Sequence, residues 1–306
     1  MSLNFGTKYF FLACLNGGKK VIDRVLSGKY FKKRPVNQLL DENSDTTVIL
    51  TVWKRGHLAE QLNALSNQMQ KPCQVWVYHC ADHINIKGIL KLYPEVSLIH
   101  SAVNLKYFGR FSLAQYVTSK FVWVLDDDVI PSVNWLDMSK KMCVEQNAII
   151  ASAGRIIPNG DYFPEQPTNT SRFFYGDVSP RYSWNFCPEN TIVDFGCNSW
   201  FFQKHWVQHL WQIPPFTLDT AEDMHLSAVL NLKMGIKTIV PKQTDIESTG
   251  NLKIMYGRDR DASWIKYDFL KKREQVLRYL IDDHGWQPQL WLKNTEPESL
   301  YNASDV

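Results

Sequence analysis

Three consecutive carboxylates, Asp126-Asp127-Asp128, directly follow the apolar run Phe121-Val-Trp-Val-Leu125. A run of that length and character reads as a buried strand, which places the acids at its carboxyl end. Adjacent buried carboxylates are costly unless a cation neutralises them. Hard divalent ions such as Mn2+ or Mg2+ take carboxylate oxygens and bridge phosphates. Side chains alternate along an extended chain, so Asp126 and Asp128 are expected to face one ligand while Asp127 faces elsewhere. The plainer alternative is an acidic turn capping a helix near Val133, for which one acid would suffice.

A second acidic pair, Glu222-Asp223, lies in Thr220-Ala-Glu-Asp223, ahead of the stripe Leu226, Val229, Leu230 and Met234. Alone it reads as a capping box, with Thr220 as N-cap and acids favoured by the helix dipole. About 95 residues after a triple-Asp strand end, it reads better as a second acidic site. Cations accompany the acids. Arg110 is expected just before the helix that leads into the Asp strand, where it can meet phosphate. Lys253, Arg258 and Arg260 lie in a stretch containing Gly250 and Gly257, which as permissive hinges would let the loop 249–261 close over a diphosphate. Trp184, Trp200 and Trp264 are candidates for stacking on a sugar face, although core packing competes for each.

The elements that must position these groups follow from periodicity. Thr47 to Trp53 is a β-branched run ending at Lys54-Arg55, and Leu58, Leu62, Leu65 and Met69 form one stripe of a helix. Strands are expected at Val75 to Tyr78, Val96 to Ile99 and Phe121 to Leu125, with helices near Ile86 to Leu92 and around Leu113 to Val117. This alternation predicts an α/β fold with a mainly parallel sheet flanked by helices, whose ligand site lies at the carboxyl ends of the strands. The second half is less regular. A helix at Val133 to Val144, a strand at Ile149 to Ala153, long loops over 155–190 and a strand at Asp194 to Phe202 are followed by a helix at Thr220 to Met234. A strand over Ile236 to Val240 and a helix near Tyr267 to Ile281, with Leu270, Leu277, Leu280 and Ile281 on one side, complete it.

The chain resembles the GT-A-fold (Rossmann-like), nucleotide-sugar-dependent glycosyltransferases, closest in pattern to glycosyltransferase family 2 and more loosely to the exostosin-like enzymes. The resemblance rests on Thr47 to Trp53 with Lys54-Arg55, on Phe108-Gly-Arg110, on Val124-Leu-Asp-Asp-Asp128, on Phe195-Gly-Cys-Asn-Ser199 and on Ala221-Glu-Asp223. It spans residues 46–245, about two thirds of the chain. It implies a metal-dependent transfer of a sugar from a nucleoside diphosphate sugar, a UDP-sugar foremost, to a glycan, lipid-linked or other hydroxyl acceptor, as in polysaccharide biosynthesis. Asp126 and Asp128 would hold Mn2+ or Mg2+ in an Asp-x-Asp element. Thr51, Trp53, Arg55, Arg110, Asp126, Asp127, Lys253, Arg258 and Arg260 would attend the donor, with Asp223 as catalytic base and Glu222 beside it. Family 2 implies inversion at the anomeric carbon and the exostosin-like group implies retention; the sequence does not choose. No downstream His stands where a further metal contact would be expected, His284 being far along the chain.

Composition limits the partners. The 306 residues carry 34 Lys plus Arg against 31 Asp plus Glu, a net charge of +3, which gives no argument for nucleic-acid binding. Residues 1–45 read as a basic appendage to a domain over 46–306, itself divided into a nucleotide-binding half (46–130) and an acceptor half (131–306). Lys19 to Arg34 reads as a solvated helical face or as a patch meeting an anionic membrane. No apolar run reaches membrane-spanning length, and no signal peptide is recognised, so a cytoplasmic protein, or one at the inner face of a membrane, is expected. The six cysteines show no Cys-x-x-Cys pairing and are expected to be free thiols; the sequons at Asn169 and Asn302 are read as chance. A sugar nucleotidyltransferase would share the fold class but would show a Gly-rich loop after the first strand, where only Gly56 stands. A non-catalytic sugar-binding protein would need neither acidic cluster.

Overall fold

The structure, a computed structural model, describes residues 37–157, 174–176 and 187–289. The basic segment 19–34, Cys14, Trp184 and both sequons lie outside them. Nine strands form one sheet: β1 (Thr46–Val52), β2 (Gln74–Cys80), β3 (Ser97–Ser101), β4 (Phe121–Leu125), β5 (Ala148–Arg155), β6 (Phe174–Gly176), β7 (Thr191–Val193), β8 (Phe195–Gln203) and β9 (Lys237–Val240). Eight run in the order β3-β2-β1-β4-β8-β5-β9-β7, and β6 pairs with β5. The pairings β1–β2, β1–β4, β2–β3 and β5–β9 are parallel, whereas β8, β6 and β7 run against their neighbours. Strands β1 to β5 and β9 therefore point one way, and the expected α/β class with a mainly parallel sheet is what forms.

Helices flank the sheet: α1 (Leu58–Ser66), α2 (Lys87–Leu90), α3 (Phe108–Ala114), α4 (Trp135–Gln146), α5 (Glu222–Met234) and α6 (Phe269–Arg278), the last continued by a π-helical turn over Tyr279–Asp283. Strands β1, β4 and β5 are buried almost throughout, as their continuous apolar runs require of strands covered on both faces. Trp123, Trp135, Trp200, Trp206 and Trp286 are buried, so five of the nine tryptophans among the described residues serve the core. The five cysteines among the described residues form no disulfide. No helix among them is long and apolar enough to cross a membrane.

Two helix boundaries and one buried face differ from the sequence reading in ways that bear on the site. Helix α1 ends at Ser66, so Met69 leaves the stripe and is exposed. Helix α3 begins at Phe108, ahead of the expected Leu113, which puts Arg110 within the helix and buries it. Helix α6 buries Arg273, Val276 and Leu277, whereas Leu270 is partly exposed.

The loop after β9 is fixed to the sheet by side chains. The Asn251 carboxamide oxygen accepts from the backbone N–H groups of Ile130 (3.1 Å) and Lys253 (2.9 Å). Gly250 and Gly257 have no left-handed φ, and both stand in close contact with neighbouring side chains. A Cβ on Gly250 would lie 2.2 Å from the Ser152 Cβ and 2.9 Å from Trp135 Cζ2. We expect Gly250→Ala to cost about 1–3 kcal/mol, the range for overpacking a filled core. An unchanged urea midpoint would show that the loop yields freely.

Candidate active site

Elements β1, α1, α3, β8, α5 and α6 and the loop after β9 converge beside the carboxyl end of β4. Gln61 on α1 is buried, and its amide donates to the carbonyls of Asp126 (2.7 Å) and Val129 (3.1 Å). The Asp126 N–H donates to the Asn198 carbonyl on β8 (2.9 Å), and Val129 N–H turns back onto the Asp126 carbonyl (3.3 Å). The chain therefore stops being extended at Leu125 and turns over Asp126–Val129. Alternation of side chains no longer applies there, and the expected split of Asp126 and Asp128 from Asp127 does not occur. Asp127 and Asp128 share one partner, and Asp126 has another.

That partner of Asp127 and Asp128 is Arg55, at the end of β1. Its Nη1 lies 2.6 Å from Asp127 Oδ1 and 3.0 Å from Asp128 Oδ2. Its Nε and Nη2 donate to the two oxygens of Asp259 at 3.1 and 3.2 Å, a bidentate geometry suited to the planar guanidinium. Arg110 joins Asp126 to Glu222: its Nη1 pairs with Asp126 Oδ1, and its Nη2 donates to Glu222 Oε1 at 2.6 Å. The same guanidinium lies 4.7 Å from the ring of Trp200, so Trp200 supports Arg110 from the core and is closed to a sugar. Arg273 on α6 holds Asp223, 2.8 Å from Oδ1 and 3.0 Å from Oδ2.

The start of α5 is not the capping box that Thr220 offered. Ala221 occupies the N-cap position with φ 64°, and no side chain caps the helix. Both acids of the first turn are buried and turned to guanidiniums instead. Burial pushes the Glu222 carboxyl up to about 7, with Asp223 adding to the rise and Arg110 and Arg273 opposing it. Burial also raises Asp128, reinforced by Asp127 and Asp259 and opposed by Arg55.

The structure thus brings together Arg55, Arg110, Asp126, Asp127, Asp128, Glu222 and Asp223. Thr51 and Trp53 stand at the end of β1, where the Thr51 hydroxyl and the Trp53 indole N–H are buried without a hydrogen-bond partner. Lys253 and Arg260 do not join the network. The Lys253 ammonium is 4.0 Å from Glu60, and Arg260, 73% exposed along its side chain, is 4.0 Å from Asp261. Gly257 lies against Asp128: a Cβ there would come within 2.7 Å of Asp128 Oδ2. Sequence reading missed Gln61, Asp259 and Arg273. Of these Arg273 alone leaves a signal, since it takes a core position between Phe269 and Leu277 on the α6 stripe.

These ion pairs set six carboxylates, Asp126, Asp127, Asp128, Glu222, Asp223 and Asp259, against the three guanidiniums of Arg55, Arg110 and Arg273. Carboxylate oxygens are the donor type a hard divalent cation takes, commonly one or two at a time with phosphate and water completing its shell, although each of these acids is here turned to a guanidinium.

No protein-family model matches the chain, and no curated protein matches it. Among solved structures it is similar to S. aureus TarS, at 16% identity and a TM-score of 0.45, over 65% of this chain and 35% of that one. It is also similar to S. aureus TarS 1-349, at 14% identity and a TM-score of 0.43, over 65% of this chain and 58% of that one. The chain thus spans from about a third to somewhat over half of those proteins' lengths. Likeness at this level assigns no chemistry.

The raised Glu222 carboxyl has a pH consequence. An acid whose folded pKa exceeds its unfolded value, 4.5 rising to about 7, adds stability below the unfolded value and loses that contribution as pH rises through the folded one. In metal-free buffer the wild-type chain should therefore lose stability between about pH 4.5 and 7 relative to Glu222→Gln. Parallel denaturation curves for the two proteins across that range will show the divergence; curves that keep a constant offset would place Glu222 at its ordinary value.

Proposed function

We propose that the chain is a glycosyltransferase of GT-A type, moving a sugar from a nucleoside diphosphate donor, a UDP-sugar foremost, to a hydroxyl of a glycan or lipid-linked acceptor. The observation that carries this reading is the Arg110 bridge, which joins the acids at the end of β4 to those at the start of α5 in one buried site. A donor diphosphate and an attacking hydroxyl need two such acidic centres side by side, one handling leaving-group charge and the other a proton.

Asp126 and Asp128 would hold Mn2+ or Mg2+, and the ion supplies charge neutralisation for the departing diphosphate. Arg55 adds a guanidinium on the same side. Asp223 takes the proton of the acceptor hydroxyl. Its side chain is the more open of the helix-start pair, 11% exposed against 6% for Glu222, and Arg273 fixes its orientation. Glu222 acts one step removed, holding Arg110 and through it Asp126. A nucleotidyltransferase finds less support, because the first strand-to-helix turn supplies Arg55 and one glycine and no Gly-rich cradle.

Two measurements test the reading. Calorimetry should show UDP binding that requires Mn2+ in the wild-type protein and is lost in Asp128→Ala; metal-independent binding would remove the Asp126 and Asp128 assignment. Asp223→Asn should keep donor affinity within a few-fold while turnover falls by roughly 10²–10⁴, the usual cost of losing a general base. Turnover at the wild-type level would return Asp223 to a structural role.

A further inference from the structure

Strands β2 and β3 end in a second group of ligand-type side chains, separate from the acids of β4. His79 and His100 are register partners on these parallel neighbours, so their rings stand side by side, with centroids 5.7 Å apart. Beyond β2 the chain folds back through Ala81 and Asp82, both with positive φ (58° and 42°), and Ala81 N–H donates to the Ser101 carbonyl at 2.9 Å. Two successive non-glycine residues in the left-handed region carry a conformational cost. The result is that the Asp82 carboxylate sits between the two imidazoles. Its Oδ1 lies 2.9 Å from His100 Nε2 and 3.8 Å from His79 Nδ1.

We propose that His79, Asp82 and His100 form a site for a borderline divalent transition-metal ion, Zn2+ foremost, distinct from the hard-cation site at Asp126 and Asp128. One ligand atom from each of the three residues lies within 4.8 Å of the others. Ligands about 2.0–2.1 Å from a tetrahedral ion stand roughly 3.3–3.4 Å apart. The 2.9 and 3.8 Å separations bracket that value, so small side-chain rotations suffice. Two imidazoles and one carboxylate suit Zn2+, Co2+ or Ni2+, whereas Mg2+ prefers oxygen alone. His79 is buried, and the nitrogen it turns toward Asp82 is Nδ1. The side chains of Asp82 and His100 are open to solvent, which leaves an entry path and room for water as a fourth ligand. An ion held there would tie the turn after β2 to β3, the edge strand of the sheet.

The test is calorimetric titration of Zn2+ into the untagged chain in excess Mg2+, which saturates all-oxygen sites, with Co2+ absorption as an independent readout of nitrogen ligation. One equivalent should bind, raise the melting temperature by mass action and give four-coordinate Co2+ bands. His100→Ala and Asp82→Asn alter exposed side chains and should keep the fold, checked by circular dichroism, while weakening Zn2+ at least about tenfold and removing the Co2+ bands. His83→Ala, which changes a neighbouring imidazole outside the set, should leave both unchanged. Absence of Zn2+ uptake by the wild-type chain, equal affinity in His100→Ala, or loss of binding in His83→Ala would each overturn the site.

Discussion

The site depends on a guanidinium placed where two halves of the chain meet. Arg110 reaches Asp126, sixteen residues on, and Glu222, 112 residues on, and it does so from a buried helix against the face of Trp200. Buried ions cost several kcal/mol each when unpaired, and Arg110 opposes the rise that burial gives the Glu222 carboxyl. Arg55 and Arg273 repeat the arrangement on either side. Each carboxylate of the site is held by a counter-ion from a different element, so the position of the acids is set by β1, α3 and α6 as much as by β4 and α5.

Much of this was legible locally. Strand β4 lies where its apolar run put it, and the acids follow it. The two acidic clusters stand out in the sequence as runs of adjacent carboxylates beside apolar segments. The partners were not legible, because pairing across 204 residues, as for Arg55 with Asp259, leaves no trace in local periodicity. Asp259 was hidden for a further reason: it stands between Arg258 and Arg260, and a reading by net charge sees a basic loop. The start of α3 was missed because Phe108-Gly-Arg110 offers neither a capping residue nor a clean stripe. The turn at Asp126 was missed because alternation was extended over Asp126 to Asp128, three residues beyond the strand that enforces it.

In the loop after β9 the glycines stand where neighbouring side chains come close. Glycine permits unusual φ and also permits contact, and Gly250 and Gly257 serve the second purpose, against Ser152 and Asp128. Tyr256 adds a stacked contact with His57, ring centroids 3.8 Å apart, and its hydroxyl donates to Glu60 at 2.8 Å. The loop is thus docked on the first strand-to-helix turn and on the acids, through specific contacts on both.

On the glycosyl-transfer reading, this docking has an electrostatic consequence. Arg55 binds Asp259 of the loop bidentately and Asp127 and Asp128 of the strand end with its remaining nitrogen. A diphosphate is a stronger anion than a carboxylate and competes for the same guanidinium. A cation at the strand-end acids would weaken the hold of Asp127 and Asp128 on Arg55, since those carboxylates would then face a second positive charge. On that reading metal, donor and loop would meet at one side chain, and Arg55 would divide its five donors among them.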